Sequence, residues 1–209
     1  MKKTKEVYIS SKDEKYEEIL SVVDEFIATL DFDKKKAIRM RLLAEETIGM
    51  VHAMTGDFKA LFWLEYEDGE YRVRLSAKVQ MDRQKKDGLL SVSTSGKNAS
   101  VKGFMSKVAD VIENGVLNYS ELMKIDLQNG GYIDYTLMGY GIPGAMPVAH
   151  APIVWSLSTY KKGLGEANVE EEPVKEAWDE LEKSIVASIA SDVIVGIKKD
   201  NVDMTILAK

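Results

Sequence analysis

Residues 68–80 constrain this chain more than any other stretch. Asp68-Gly69 is a two-residue turn of the kind that closes antiparallel hairpins, because both residue types tolerate the positive φ such a turn requires. The strand after it alternates without a break. Tyr71, Val73, Leu75, Ala77 and Val79 fall on one side, and Arg72, Arg74, Ser76, Lys78 and Gln80 on the other. A period of two kept this long calls for an antiparallel sheet with one face against helices and the other in water. The preceding segment 60–67 supplies the partner strand. A second hairpin closes the chain from Asp192 to Leu207, turning near Lys199-Asp200-Asn201.

The helices that must cover the apolar face are equally legible. Ser11-Lys12-Asp13-Glu14 has the form of a capping box, and Tyr16, Ile19, Leu20, Val23, Phe26, Ile27 and Leu30 follow at helical spacing. A second helix is expected over about Lys34 to Met54, after Asp31 or Asp33 as its cap. It is apolar nearly all round (Ala37, Ile38, Met40, Leu42, Leu43, Ala44, Ile48, Met50, Val51), which places it in the middle of the fold. A short apolar run from Leu89 to Thr94 leads into a polar loop, Ser95 to Ser100. A helix then directs Val101, Phe104, Met105, Val108 and Ile112 inward. Pro173 opens a last helix with Val174, Trp178, Leu181, Ile185 and Ile189 on one face. The expected architecture is α+β: a two-layer sandwich of an antiparallel or mixed sheet with helices on one face.

Between these elements, residues 115–172 read as an irregular, glycine-rich insertion with one short helix near 120–127. Within it, Leu137 to Tyr160 carries no charge apart from a protonated His150. That is long enough for a membrane span, which takes roughly 20 residues. Pro143, Pro147 and Pro152 would break such a helix repeatedly, so the stretch reads as a buried or partner-facing apolar loop. With 209 residues the chain fits one domain bearing this insertion.

Several chemistries are excluded. The chain has no cysteine, so there is no disulfide framework, thiolate nucleophile or cysteine zinc site, and a cytoplasmic setting is the natural expectation. Met1 to Glu6 is charged and leads straight into Val7-Tyr8-Ile9, without the apolar core of a signal peptide. The net charge of −6 argues against a nucleic-acid partner. His52 and His150 are the only histidines, and neither H-E-x-x-H, G-x-S-x-G nor a P-loop occurs. Gly139 to Gly144 fits G-x-G-x-x-G, but Pro147 and Pro152 forbid the helix that fingerprint needs.

Residues 6–113, in the order strand, helix, central helix, hairpin, small-residue loop, helix, resemble the GHKL (Bergerat-fold) ATPase superfamily. The likeness is to its small bacterial anti-sigma-factor serine kinase branch. Arg41-Leu42-Leu43-Ala44-Glu45-Glu46-Thr47-Ile48-Gly49-Met50-Val51-His52 is similar to the N-box helix, in which a catalytic glutamate precedes a magnesium-binding asparagine by four residues. The resemblance implies Glu45 as the general base. Gly49 stands where the asparagine should be, so the magnesium ligand is missing. Val79-Gln80-Met81-Asp82 resembles the strand end whose aspartate reads adenine, which implies Asp82 in that role, although neither family glycine follows. Ser95 to Met105 resembles the lid and helix N-terminus beside the phosphates, implying Lys97, Lys102 and Gly103 as nucleotide contacts.

For Glu45 the residues themselves leave two alternatives open. A carboxylate interrupting an apolar stripe invites a catalytic reading, and Arg41 four residues earlier invites an ion pair. Three functions follow. The first is a degenerate GHKL-like regulatory domain that binds a protein partner, with weak or absent ATP binding and no dependable magnesium site. The second is an active ATP-binding serine kinase. The third is an interaction module that uses segment 137–160, including for homo-oligomer formation.

Overall fold

The computed structural model describes residues 1–12, 16–53, 57–80, 153–167 and 170–209, together with 104, 105, 107–109, 111–113, 115 and 116. Its centre is a sheet in which every pairing is antiparallel. The strands are β1 (Lys2–Lys3), β2 (Val7–Ser10), β3 (Asp57–Glu67), β4 (Glu70–Gln80), β5 (Ile153–Ser156), β6 (Asp192–Lys198) and β7 (Asn201–Ala208), with the order β1-β3-β4-β7-β6-β5 and β2 also on β3. The sheet is thus antiparallel rather than mixed.

β1 and β2 share one edge of β3 out of step by one residue: Lys3 lies opposite Glu65, whereas Val7 lies opposite Phe62. Thr4 fills the bulge, its hydroxyl accepting from Leu64 N at 3.0 Å and its own N–H donating to Leu64 O at 3.0 Å. The β3–β4 turn has φ of 51° at Asp68 and 86° at Gly69, the paired positive values of the expected hairpin. β6 and β7 turn through Lys199, at φ 60°, and Asp200.

One face of the sheet carries the core. Phe58, Phe62, Leu64, Tyr71, Val73, Leu75, Val195, Met204 and Ile206 are buried there. Above them lie α1 (Tyr16–Ala28) and α2 (Lys34–Ala53), which pack on each other and, through α2, on β2 and β4. α1 buries Ile19, Leu20, Val23 and Phe26 as its spacing requires. α2 is not buried all round. It buries Met40, Leu43, Ala44, Ile48, Met50 and Val51, while Ile38 is 49% exposed, so the helix has a wet side. The remaining charges of α2 explain this, because Arg39, Arg41, Glu45 and Glu46 cannot all be dehydrated. Phe104, Met105, Val108 and Ile112 are buried in helical residues, as their spacing implied. A Cβ on Gly115 would overlap Ile197 Cδ1, which identifies where this helix comes down on β6.

Two further expectations are corrected. The supposed insertion rejoins the sheet at residue 153: β5 pairs with β6, and α3 (Leu157–Glu166) follows it. Ser156 caps α3 by accepting from Thr159 N at 3.2 Å, and Asp192 ties its first turn to β6 by accepting from Ser158 N and Oγ at 3.0 and 2.8 Å. The last eight residues of the charge-free stretch are therefore an edge strand and a helix start, not a loop. Residues 120–127 and 137–152 lie outside the described residues. The single last helix is also two: α4 (Glu172–Lys183) ends at Ser184, whose extended backbone and hydroxyl cap α5 (Ile185–Ile189) by accepting from Ala187 N at 3.1 Å. Helical periodicity survives the break, which is why the sequence conceals it.

Among the described residues no helix is long and apolar enough to cross a membrane.

Candidate functional site

The sequence points to the wet side of α2, and that side faces the start and middle of α1. Arg41 is its hub. Its Nε donates to Asp24 on α1 at 2.9 Å, and its Nη1 pairs with Glu45 one turn further along α2. The guanidinium loses hydration there, which lowers its pKa, but the charges of Glu45 and Asp24 outweigh that loss and raise it overall. Of the two readings of Glu45, the geometry realises the ion pair. The sequence contained the Arg41–Glu45 half, since residues four apart on a helix are neighbours. It had no signal for Asp24, seventeen positions before Arg41 and brought to it only by the α1–α2 packing.

Around this pair stand groups for which the sequence reading implied no role in a site. Tyr16 lies across from Glu45, and its phenol pKa is raised, first by burial and then by the Glu45 charge. His52 stacks at a tilt on Tyr16, with ring centroids 5.8 Å apart, and its Nε2 is buried without a hydrogen-bond partner. Glu46 is pushed up by burial and, secondarily, by the like charge of Glu45. Gly49 lies between Glu45 and His52 on the helix, and an added Cβ would have nothing within 4 Å. Thr47 points the other way, its hydroxyl donating to Leu43 O at 2.7 Å within the core.

The remaining expected contacts, Asp82, Lys97, Lys102 and Gly103, lie outside the described residues, so of the proposed nucleotide site only Glu45 and Gly49 have a described geometry. The carboxylate is already matched by a cation, and the position that should supply the metal-binding oxygen carries no side chain. Among the described residues no group of three or more histidines or carboxylates could hold a metal ion.

A concavity of about 620 Å³ lies elsewhere, against α4, lined by Glu172, Glu176, Trp178, Asp179 and Glu182. Lys175 and Lys183 approach Glu172 and Asp179 at 3.6 and 3.1 Å. The remaining negative charge would repel a phosphate, so this hollow does not replace the expected site.

Comparisons with family models, curated proteins and solved structures find no match to this chain. They identify no relationship to the GHKL superfamily.

Proposed function

We propose that this chain is a regulatory domain on a GHKL-like scaffold that acts by binding a protein partner and does not turn over ATP. One observation carries the reading: the carboxylate that would have to act as base, Glu45, is paired with Arg41, which Asp24 holds from the other side. Phosphoryl transfer needs a positioned metal and a free base or water-orienting group. Here the base is neutralised by a neighbour and the metal ligand is a glycine. A function had by binding asks for neither.

The test is thermal stability of the full chain with ATP and magnesium, and with ATP and EDTA. A nucleotide at about 100 times its dissociation constant adds roughly 2.7 kcal/mol. For a domain of this size that is a rise of about 5–10 °C. The expected result at millimolar ATP is no magnesium-dependent shift. A magnesium-dependent rise that accompanies phosphate release, with the release lost in Glu45→Ala, would overturn the proposal in favour of the serine-kinase reading.

A further inference from the structure

The sheet face turned away from the helices is ordered by charge along the strands. The pairing register arranges its side chains in rows that cross the sheet. One row inside the Asp57–Gln80 pair that ends β3 and β4 stand Lys59, Lys78 and Lys198 on β3, β4 and β6. The next contains Tyr8, Leu61, Ser76, Asp203, Gly196 and Val154. The central row runs through Trp63, Arg74, Thr205 and Ile194. Beyond the row of Glu65 and Arg72, the opposite end is Glu67 and Glu70 at the hairpin tip. Lysines therefore collect toward one end and glutamates, with Arg72 among them, at the other, and the two rows between are uncharged apart from Arg74 and Asp203. Apolar side chains stand in water between the two ends: Tyr8 is 52% exposed, Leu61 41% and Val154 60%.

The geometry points to a second copy of this chain as the occupant of that face, stacked sheet on sheet about a two-fold axis that crosses the strands at the Trp63 row. A two-fold axis in the plane of contact keeps each strand over its own copy and reverses its direction. Lys59 on β3 then comes opposite Glu67 on the partner's β3, and Lys78 opposite Glu70 on the partner's β4. Both matches occur twice by symmetry. The axis placed on any other row loses both, although on this row Arg74 comes opposite its own copy and that like-charge contact opposes the stacking. Trp63 is already held rigid at the centre, with Lys3 Nζ 4.6 Å and Arg74 Cζ 5.5 Å from its ring centroid and its indole N–H donating to Glu65 at 2.7 Å. The charges are partly satisfied within one chain: Lys78 meets Asp200 at 3.3 Å, and Arg72 meets Glu70 and Glu67 at 2.7 and 3.7 Å. Pairing would therefore orient the copies, with burial of the apolar middle supplying the affinity.

The area is sufficient. Strands about 4.8 Å apart and rows about 6.8 Å apart make the six-strand face roughly 25 Å by 25 Å. A pair would bury about 1,200 Å² or more, at the lower end of stable interfaces. Face-to-face packing of this kind is how two sheets normally meet, with the strands within about 30° of each other.

The test is sedimentation equilibrium of the full chain, together with two charge-reversed variants, K59E/K78E and E67K/E70K, each first checked for an unchanged fold by circular dichroism. Wild type at about 50 µM is expected at twice the 23.3 kDa of one chain. Each variant alone should fall to the monomer mass, because it sets like charges against each other at both ends. An equimolar mixture of the two should recover the dimer, since one then presents only acidic and the other only basic ends. A wild type that stays monomeric at about 200 µM, or variants that remain dimeric alone, would overturn the proposal, as would a mixture that stays monomeric. Because nucleotide plays no part in this measurement, its outcome is independent of the ATP test above.

Discussion

The two faces of the one sheet follow different rules. On the covered face the strand positions are apolar except Lys2 at the edge, and the largest side chains, Tyr71, Phe58 and Phe62, are wholly buried. On the open face lysines, glutamates and arginines alternate with a few half-exposed aromatic and aliphatic residues. The covered face is fixed by burial, so its chemistry is uniform and its tolerance small. The open face contributes little to folding and is free to carry a pattern, with lysines toward one end and glutamates around Arg72 at the other. Under the proposed pairing of two copies, stability and recognition fall on opposite sides of the same strands, one residue apart.

The sharpest way to break this comparison is to truncate neighbours on β3. Phe62 is 1% exposed and Leu61 is 41% exposed. Phe62→Ala should cost about 3–5 kcal/mol, the transfer term plus a cavity the surrounding core cannot fill. Leu61→Ala should change stability by no more than about 0.5 kcal/mol, measured by urea unfolding at concentrations where the chain is monomeric. Comparable losses at the two positions would mean that the open face is part of the core.

This contrast also accounts for what the sequence disclosed. Alternation of period two reports burial directly, so Tyr71 to Val79 and the closing hairpin could be read residue by residue. Helical periodicity reports burial as well, but it is indifferent to a break that keeps phase, and so α4 and α5 read as one helix across Ser184. The site was legible only as far as helix spacing reaches. Arg41 and Glu45 are one turn apart and their pairing could be anticipated, whereas Asp24 and Tyr16 reach them through the packing of α1 on α2, which no local pattern encodes. β5 was missed for a related reason. Its four residues are too few to establish a period, and they sit at the end of a charge-free stretch whose prolines suggested a loop.

Tyr71 sharpens the comparison from the other direction, by asking what a polar group costs on the covered face. Its ring is wholly buried with Phe32 6.0 Å away, yet its hydroxyl is buried without a partner. Burial raises its pKa, and the charge of Arg39 opposes this only in part. A buried hydroxyl without a hydrogen bond costs roughly 1–3 kcal/mol, although a bound water would recover some of it. Tyr71→Phe keeps the ring and removes the cost, so it should be neutral or should stabilise by about 1 kcal/mol. A loss of stability on this change would reveal a partner for the hydroxyl.

The smallest effect concerns carboxylates. On the open face Glu65, Glu67 and Glu70 gather round Arg72, whereas Glu46 on α2 is partly buried next to Glu45, and no ion pair joins it to a described cation. Its folded-state pKa is raised above 4.5, by burial first and by Glu45 second. Such a group favours the folded state most when protonated. Its contribution is complete below the unfolded value and is lost as the pH rises through the folded one. Above that window the ionised side chain opposes folding. Glu46→Gln should therefore raise the melting temperature at pH 7, by an amount equivalent to less than about 1 kcal/mol because the group is still partly solvated. The gain should shrink as the pH is lowered and disappear below the unfolded carboxylate range. Glu67→Gln, beside Arg72 on the open face, should produce no such gain at pH 7. If both substitutions respond alike across the titration, burial is not what separates the two carboxylates, and the division between the faces does not extend to their charges.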